Sequence, residues 1–472
     1  DWGVNLLVGK NDTSNAIAKR VIDEDEINDY AISAVPIQKR KGLFSVATVW
    51  VGWCISLSAF ATGATIASGS SLTAGLLAVL VGNLLLVLLG GLCGIIGFRT
   101  GRNTYNLYEA MFGSTSSSIV NIIGGISTMS FIGVLMDIFS STLQGLIPGV
   151  PKLVSILVLG AAILLSSLYG FKGLEKLSKV AAPLLWALAI AALIVTLVKY
   201  PQNLLSYQPL SPISFATAVG AAVATWIGGA SMAADITRYS SSKKHVYFSA
   251  AFGYILGCGL FEAIAIIAFV GSGSSSLVTL FANLGLLIPA VLVLFVALWT
   301  TCDNNIYSSA LAFSNAAAVL GSKKTRRKMW TVICVAIAVG TSFLGIADKF
   351  DLWLSFCGSL CGPLAGIMIA HFLILQGKRE KFYVPKVIRL SGWISWLAAG
   401  IGSQFTHFTS IPTLEAIVMG FVLYIILYLI LDKTFNLHKD KDADTQVGQV
   451  WDMPNSETVS SNIMAEKTTA AI

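Results

Sequence analysis

The chain has 472 residues, of which 55% are hydrophobic and 12% charged, with a mean hydropathy of +0.76 and a formal net charge of +7. An ordinary soluble chain carries about a quarter charged residues, so this one lacks the polar residues to cover a water-facing surface, which argues against a soluble enzyme or nucleic-acid binder. A polytopic membrane protein fits instead.

In chain order, the first 37 residues are polar, contain the acidic run Asp23, Glu24, Asp25, Glu26, and do not read as a secretory signal. Asn11-Asp12-Thr13 has the form of a glycosylation sequon, but the basic residues place this tail inside the cell, where it goes unused. A spanning helix needs about 20 mostly apolar residues. On that measure the sequence predicts twelve spans, at 43–67, 72–98, 117–146, 153–170, 181–200, 213–236, 246–271, 286–318, 329–347, 352–375, 390–409 and 414–432. A polar, flexible tail is expected over 433–472. The seven cysteines sit almost entirely within the apolar runs and read as small core residues, not as disulfides or metal ligands.

Basic residues orient the bundle. Of the 31 Lys and Arg, 24 fall on alternate connections and just after the last span, against three (Lys152, Lys199 and Lys349) on the others. Both termini are therefore expected in the cytoplasm of a cell-membrane protein. The run 323–328 (KKTRRK) reads as a positive-inside loop, with anionic lipid a secondary use.

Polar residues at mid-depth carry the functional signal. Spans 1 and 6 both hold Gly and hydroxyl residues there, as GWCISLS (52–58) and WIGGAS (226–231). Interrupted helices at corresponding places in two halves point to a transporter site, with repeats over about 43–200 and 213–375 and two spans appended. Glycines 52, 228 and 229 are expected to release the backbone from helix there. In span 8, LWTTCDNNIYSS (298–309) sets two hydroxyls, Thr300 and Thr301, before Asp303, Asn304 and Asn305. Hydroxyls plus free carbonyls suit a monovalent cation; back-bonding within the helix is the other use of such threonines. Asparagine offers a donor and an acceptor to a heterocycle edge, or ties helices together. Trp226 beside the glycines offers a stacking face, and Ser56, Ser127, Thr128 and Ser130 add hydroxyls. Among the buried acids, Asp303 reads as an organiser of neighbouring helices, Asp235 as a structural partner of Arg238, and Asp137 as a residue near the outer mouth. Glu262 is the proton-relay candidate if H⁺ drives transport. No HExxH, P-loop lysine motif or histidine cluster appears.

The segments LWTTCDNNIYSSALAFSN (298–315), ATWIGGASMAADITRY (224–239) and RKGLFSVATVWVGWCIS (40–56) resemble the nucleobase:cation symporter-1 family, nearest its cytosine and purine permeases. The resemblance runs from about Val35 through span 10, and more loosely to span 12. It implies an all-α, leucine-transporter-type fold of five-plus-five inverted repeats. It implies uptake of a nucleobase or related heterocycle, cytosine first and a purine or other pyrimidine next, with Na⁺ or else H⁺ as coupling ion and no organic cofactor. By motif, the sodium ligands fall on the carbonyls of Gly52, Ile55 and Ala297 and the hydroxyls of Thr300 and Thr301. The substrate site falls on Ser56, Ser127, Ser130, Trp226, Gly228, Gly229, Asn304 and Asn305. One departure stands out: where the cytosine permeases carry a glutamine and then a tryptophan in span 3, this chain has Ser127 and Ser130, leaving Phe131 to supply a displaced stack. An amino acid or amine remains the rival cargo, and an embedded enzyme the rival class.

Overall fold

Backbone polar groups in lipid must be satisfied within the chain, which is why an apolar sequence of this kind becomes helix. The computed structural model describes residues 29–322, 325–344, 350–377, 381–406, 408–409, 411–434 and 448–452. The sequon at Asn11, the acidic run 23–26 and most of the C-terminal tail lie outside the described residues.

The chain begins with α1 (Leu43–Cys54) and α2 (Leu57–Gly69), then α3 (Leu72–Thr100), the short α4 (Thr104–Phe112), α5 (Ser114–Leu146), α6 (Lys152–Ser167), α7 (Phe171–Lys199) and α8 (Pro201–Ser206). The second half follows with α9 (Phe215–Ser231), α10 (Ala234–Thr237) and α11 (Lys243–Ala251), which runs through a π-helical stretch, Phe252–Gly259, into α12 (Leu260–Ser272). After α13 (Leu277–Asn283) come α14 (Leu287–Val319), α15 (Arg327–Thr341), α16 (Phe350–Ile369), α17 (Leu390–Gly402) and α18 (Pro412–Leu427). All twelve stretches marked out by hydropathy carry helix. Among the described residues, six uninterrupted helical segments are long and apolar enough to cross a membrane, the bent pair α1–α2 makes a seventh, and α6, α9, α17 and residues 359–375 are shorter and apolar.

Two features depart from expectation. Lys381–Pro385 (β1) pairs antiparallel with Gly448–Asp452 (β2), so the tail expected to be flexible supplies a strand to an otherwise helical protein. In addition, connections read as loops fold as α4 and α13.

Helix packing follows a five-span offset. The first span packs on the seventh (α2 on α12) and the sixth on the second (α9 on α3). The fourth packs on the eighth (α6 on α14), and the ninth on the third (α15 on α5). Adding or subtracting five spans converts each of these contacts into its mate. The third and eighth spans, α5 and α14, run along each other at the centre. The outside is apolar: Leu77, Leu80, Leu84 and Leu88 stand exposed along one face of α3. Such a stripe is a liability in water and a requirement in lipid.

Candidate functional site

The first span is broken by two extended residues. Ile55 (φ −73°, ψ 95°) and Ser56 (φ −136°, ψ 157°) lie between α1 and α2, which are bent by 56° to one another. Extended geometry at 55–56 leaves the carbonyls of residues 52 to 55 without the amides that a continuous helix would offer. Ser56 folds back as the N-cap of α2, its Oγ accepting from Ala59 N at 3.1 Å and pairing with Ser58 Oγ at 2.8 Å. Gly52 is not the point of release. It sits inside α1, where a Cβ would collide with the Ser178 side chain of α7, so its glycine serves close packing.

α14 packs against both α1 and α2. Thr300 Oγ1 donates to the carbonyls of Val296 (3.2 Å) and Ala297 (3.0 Å), the back-bonding expected of a threonine in an apolar helix. Thr301 differs: its Oγ1 is buried and has no hydrogen-bond partner. A buried hydroxyl left unpaired costs about 1 to 3 kcal/mol, and Thr300 still has lone pairs free after donating. An orphaned hydroxyl on a helix packed against a run of released carbonyls suits a small monovalent cation.

The second interruption falls later than the glycines suggested. α9 continues through Gly228 and Gly229 to Ser231, and the chain turns at Met232–Ala233 before α10. The reading of an unwound backbone at 228–229 is thus corrected: glycine here makes room. A Cβ on Gly229 would lie 2.9 Å from Trp226 Cε3 and 3.4 Å from Trp53 Cη2, whereas one on Gly228 would meet nothing within 4 Å. Trp53 and Trp226 meet edge to face with ring centroids 5.5 Å apart and planes at 74°.

Between these elements lies a cavity of about 470 Å³, within the range of small-molecule sites. Its wall comes from Trp53, Ser58, Thr62 and Thr65 in the first span, Ser127, Thr128 and Phe131 in α5, Thr225 to Gly229 in α9, Met232, Asn305, Cys361 and Thr413. Among the described residues, none that lines it is charged. Asn305 donates Nδ2 to Thr301 O at 2.8 Å and keeps Oδ1 unengaged. The indole N–H groups of Trp53 and Trp226 are buried without partners.

Of the residues expected at the substrate, Ser127, Phe131, Trp226, Gly228, Gly229 and Asn305 line this cavity, and Ser56, Ser130 and Asn304 do not. Asn304 instead back-bonds to Thr300 O at 3.0 Å. Sequence reasoning passed over Trp53, Thr62, Thr225 and Met232. The first carried a signal, since it adjoins the glycine and precedes the break just as Trp226 precedes its own glycines.

The acids have structural partners. Asp303 Oδ1 accepts from Ser167 Oγ of α6, tying helices as expected. Asp137 pairs with Lys152 at 2.7 Å. The pairing inferred for Asp235 and Arg238 from their spacing runs through the backbone, Arg238 Nε donating to Asp235 O at 3.3 Å, while their other bonds go elsewhere. Asp235 takes Thr104 N and Ser308 Oγ, both at 2.8 Å. Arg238 is fully buried and donates to Tyr30 O and Tyr307 Oη, both at 2.7 Å, and to Asp29 O at 3.0 Å.

Comparison with known proteins agrees with this architecture. Residues 34–384 match the family of permeases for cytosine/purines, uracil, thiamine and allantoin. The cytosine permease of Escherichia coli K12 is 28% identical over 409 residues, 86% of this chain and 96% of that one. Among solved structures, the nucleobase-cation-symport-1 family transporter Mhp1, in a closed conformation with bromovinylhydantoin bound, superposes with a TM-score of 0.72 at 18% identity, covering 85% of this chain and 95% of that one. A Na⁺-coupled sialic acid symporter superposes with a TM-score of 0.64 at 12% identity, over 82% of this chain and 90% of that one.

Proposed function

The chain belongs to the family of permeases for cytosine/purines, uracil, thiamine and allantoin, a multi-pass membrane protein and not an enzyme, and from that premise we propose that it imports a nucleobase or related small heterocycle, cytosine first, by sodium symport. The observation that carries the cargo class is the uncharged cavity. An amino acid or amine would bring at least one full charge into a wall with no charged side chain, at a desolvation cost of several kcal/mol. A neutral ring needs apolar faces and a few hydrogen bonds, and the wall supplies aromatic rings, hydroxyls and the free Oδ1 of Asn305.

In this reading the carbonyls of Gly52, Ile55 and Ala297, with the hydroxyls of Thr300 and Thr301, hold sodium. The ion ties the broken first span to α14. The ring stacks on Trp226 with Phe131 as a further apolar contact, an exocyclic amino group donates to Asn305 Oδ1, and Ser127 bonds the ring edge. Sodium and cargo then strengthen one another by the same factor, since coupling between two sites is reciprocal. The permease domain spans residues 38–432, with twelve spans, inverted repeats near 43–200 and 213–375, and both termini cytoplasmic in the cell membrane. The family resemblance and the charge asymmetry of the loops support this arrangement.

Sodium-dependent uptake of radiolabelled cytosine by Thr301→Ala tests the ion site. A loss of sodium dependence is expected; unchanged transport with unchanged sodium dependence would refute the assignment.

A further inference from the structure

One buried acid takes no part in the site described above. Glu262 of α12 is 0% exposed, and Asn83 of α3 donates its Nδ2 to Glu262 Oε2 at 2.6 Å. Thr225 of α9 and Cys258, one turn back, lie beside the carboxyl, while Gly63 of α2 runs against the backbone of Glu262 and the methyl of Ala265. The elements packed on α12 are α2, α3, α7, α8, α13 and the π-helical stretch. Among the described residues they bring no Lys, Arg or His to this acid, and the titratable groups facing it are the thiols Cys54 and Cys258.

The hydrogen-bond inventory of this cluster does not balance around a carboxylate. Asn83 Nδ2 serves both Val79 O (2.9 Å) and Glu262 Oε2, yet Asn83 Oδ1 and Glu262 Oε1 are both buried without a partner. Ionised, Glu262 would be acceptor-only, its charge met by the Asn83 amide and by Cys258 and Thr225 beside it but by no cation, next to an amide oxygen with no donor. A neutral carboxylic acid brings the one thing missing, an O–H. An acid and a primary amide then exchange two hydrogen bonds, the amide N–H to one carboxyl oxygen and the acid O–H to the amide oxygen. One proton thereby accounts for both orphans.

We propose that Glu262, paired with Asn83, is a proton-binding site of this transporter, protonated in the conformation described here and separate from the sodium ligands of α14. Thr225 connects it to the cavity: its Oγ1 donates to Thr62 Oγ1 at 2.7 Å, and both threonines line the wall. A proton entering from the cavity is taken up at the Thr225 hydroxyl as that group's own proton, turned from Thr62 to Glu262, passes to the carboxylate, which becomes the neutral acid. It leaves by the reverse transfer when the contacts of α2 and α9 with α12 change. No other bond is made or broken, and one H⁺ is carried per cycle beside sodium. This site presupposes the transporter reading, so its test includes a measurement that needs no cargo.

That measurement is infrared spectroscopy of the full-length protein in H₂O and D₂O at neutral pH. A neutral-acid C=O band that shifts on deuteration and is missing in Glu262→Gln is expected; its absence from the unmodified protein would overturn the proposal. A pH titration of the same band in the unmodified protein serves should the variant fail to fold. The second arm is cytosine uptake into proteoliposomes at fixed sodium over about pH 5 to 9. An obligatory single proton changes uptake by about tenfold per pH unit once Glu262 begins to lose it. Glu262→Gln, an isostere of the neutral acid, is expected to bind cytosine with a flat pH profile, whereas a variant profile parallel to the unmodified protein's would make Glu262 merely structural. The band present with no uptake by either protein would leave the proton site standing and remove the transport reading.

Discussion

The two halves of α14 make opposite use of polar residues. Ahead of Tyr307, two groups are left open, Thr301 Oγ1 without a partner and Asn305 in the cavity wall, while Thr300 and Asn304 back-bond and Asp303 takes Ser167. From Tyr307 onward the polar groups are closed. Tyr307 Oη bonds Asp29 Oδ2 and receives Arg238 Nη2, both at 2.7 Å; Ser308 bonds Asp235, Ser309 pairs with Thr128 at 2.7 Å, and Asn315 bonds Ala31 O at 2.8 Å. A polar group in an apolar helix either waits for a ligand or has already found a protein partner, and only the partner tells the two apart. The open half faces the cavity, and the closed half stitches α14 to the segment before α1 and to the turn after α10.

Breaking the closed half is expected to have the largest effect. Arg238→Ala strands four acceptors in a buried network, and removing one partner of a buried charged cluster costs about 3 to 5 kcal/mol. A marked fall in melting temperature in detergent is expected; an unchanged value would mean that the inner network does not hold the fold. Next in size is the stacking wall. Trp226→Ala removes a ring face worth about 1 to 3 kcal/mol, so cytosine binding is expected to weaken about tenfold to a hundredfold, alongside a fall in the ligand-free melting temperature from the lost packing on Trp53. Thr301→Ala acts on coupling. The factor by which sodium tightens cytosine binding, typically 5- to 150-fold for coupled sites, is expected to fall towards one while binding in choline stays as it was. Smallest is Ser127→Gln, which returns the amide common in the cytosine permeases to α5. One added hydrogen bond contributes about 0.5 to 1.5 kcal/mol, a gain of a few-fold in cytosine affinity by equilibrium binding. A loss would show that the serine leaves room for a bulkier ring.

What the sequence displayed and what it hid divide along the same line. Hydropathy and the Lys/Arg alternation marked every long helix, because burial in lipid and loop charge are properties of whole segments. Which residues of a helix turn inward is a property of its rotation. That is why the sequence does not separate Asn304 from Asn305 or Ser130 from Ser127, although only Asn305 and Ser127 line the cavity. Both helix breaks were placed on glycines, since a glycine that bends a chain and one that admits a neighbour look alike in sequence. Gly52 admits Ser178 and Gly229 admits the two indoles, while the breaks fall at Ile55–Ser56 and Met232–Ala233. Asp235 and Arg238, three apart, meet only through the Asp235 carbonyl; the carboxylate and the rest of the guanidinium bond residues distant in the chain. Thr62 and Thr225 carry no signal of their own until α2 and α9 are set side by side.

The central claim, an uncharged ring held in the open half of α14 together with sodium, is tested most directly by thermal shift of the purified protein. A panel of nucleobases and related rings, with amino acids as controls, would be measured in sodium and in choline. One base, cytosine first, is expected to raise the melting temperature more in sodium than in choline, because a ligand stabilises only the state that binds it. No shift with any ring in either salt, or a shift with an amino acid instead, would contradict the account.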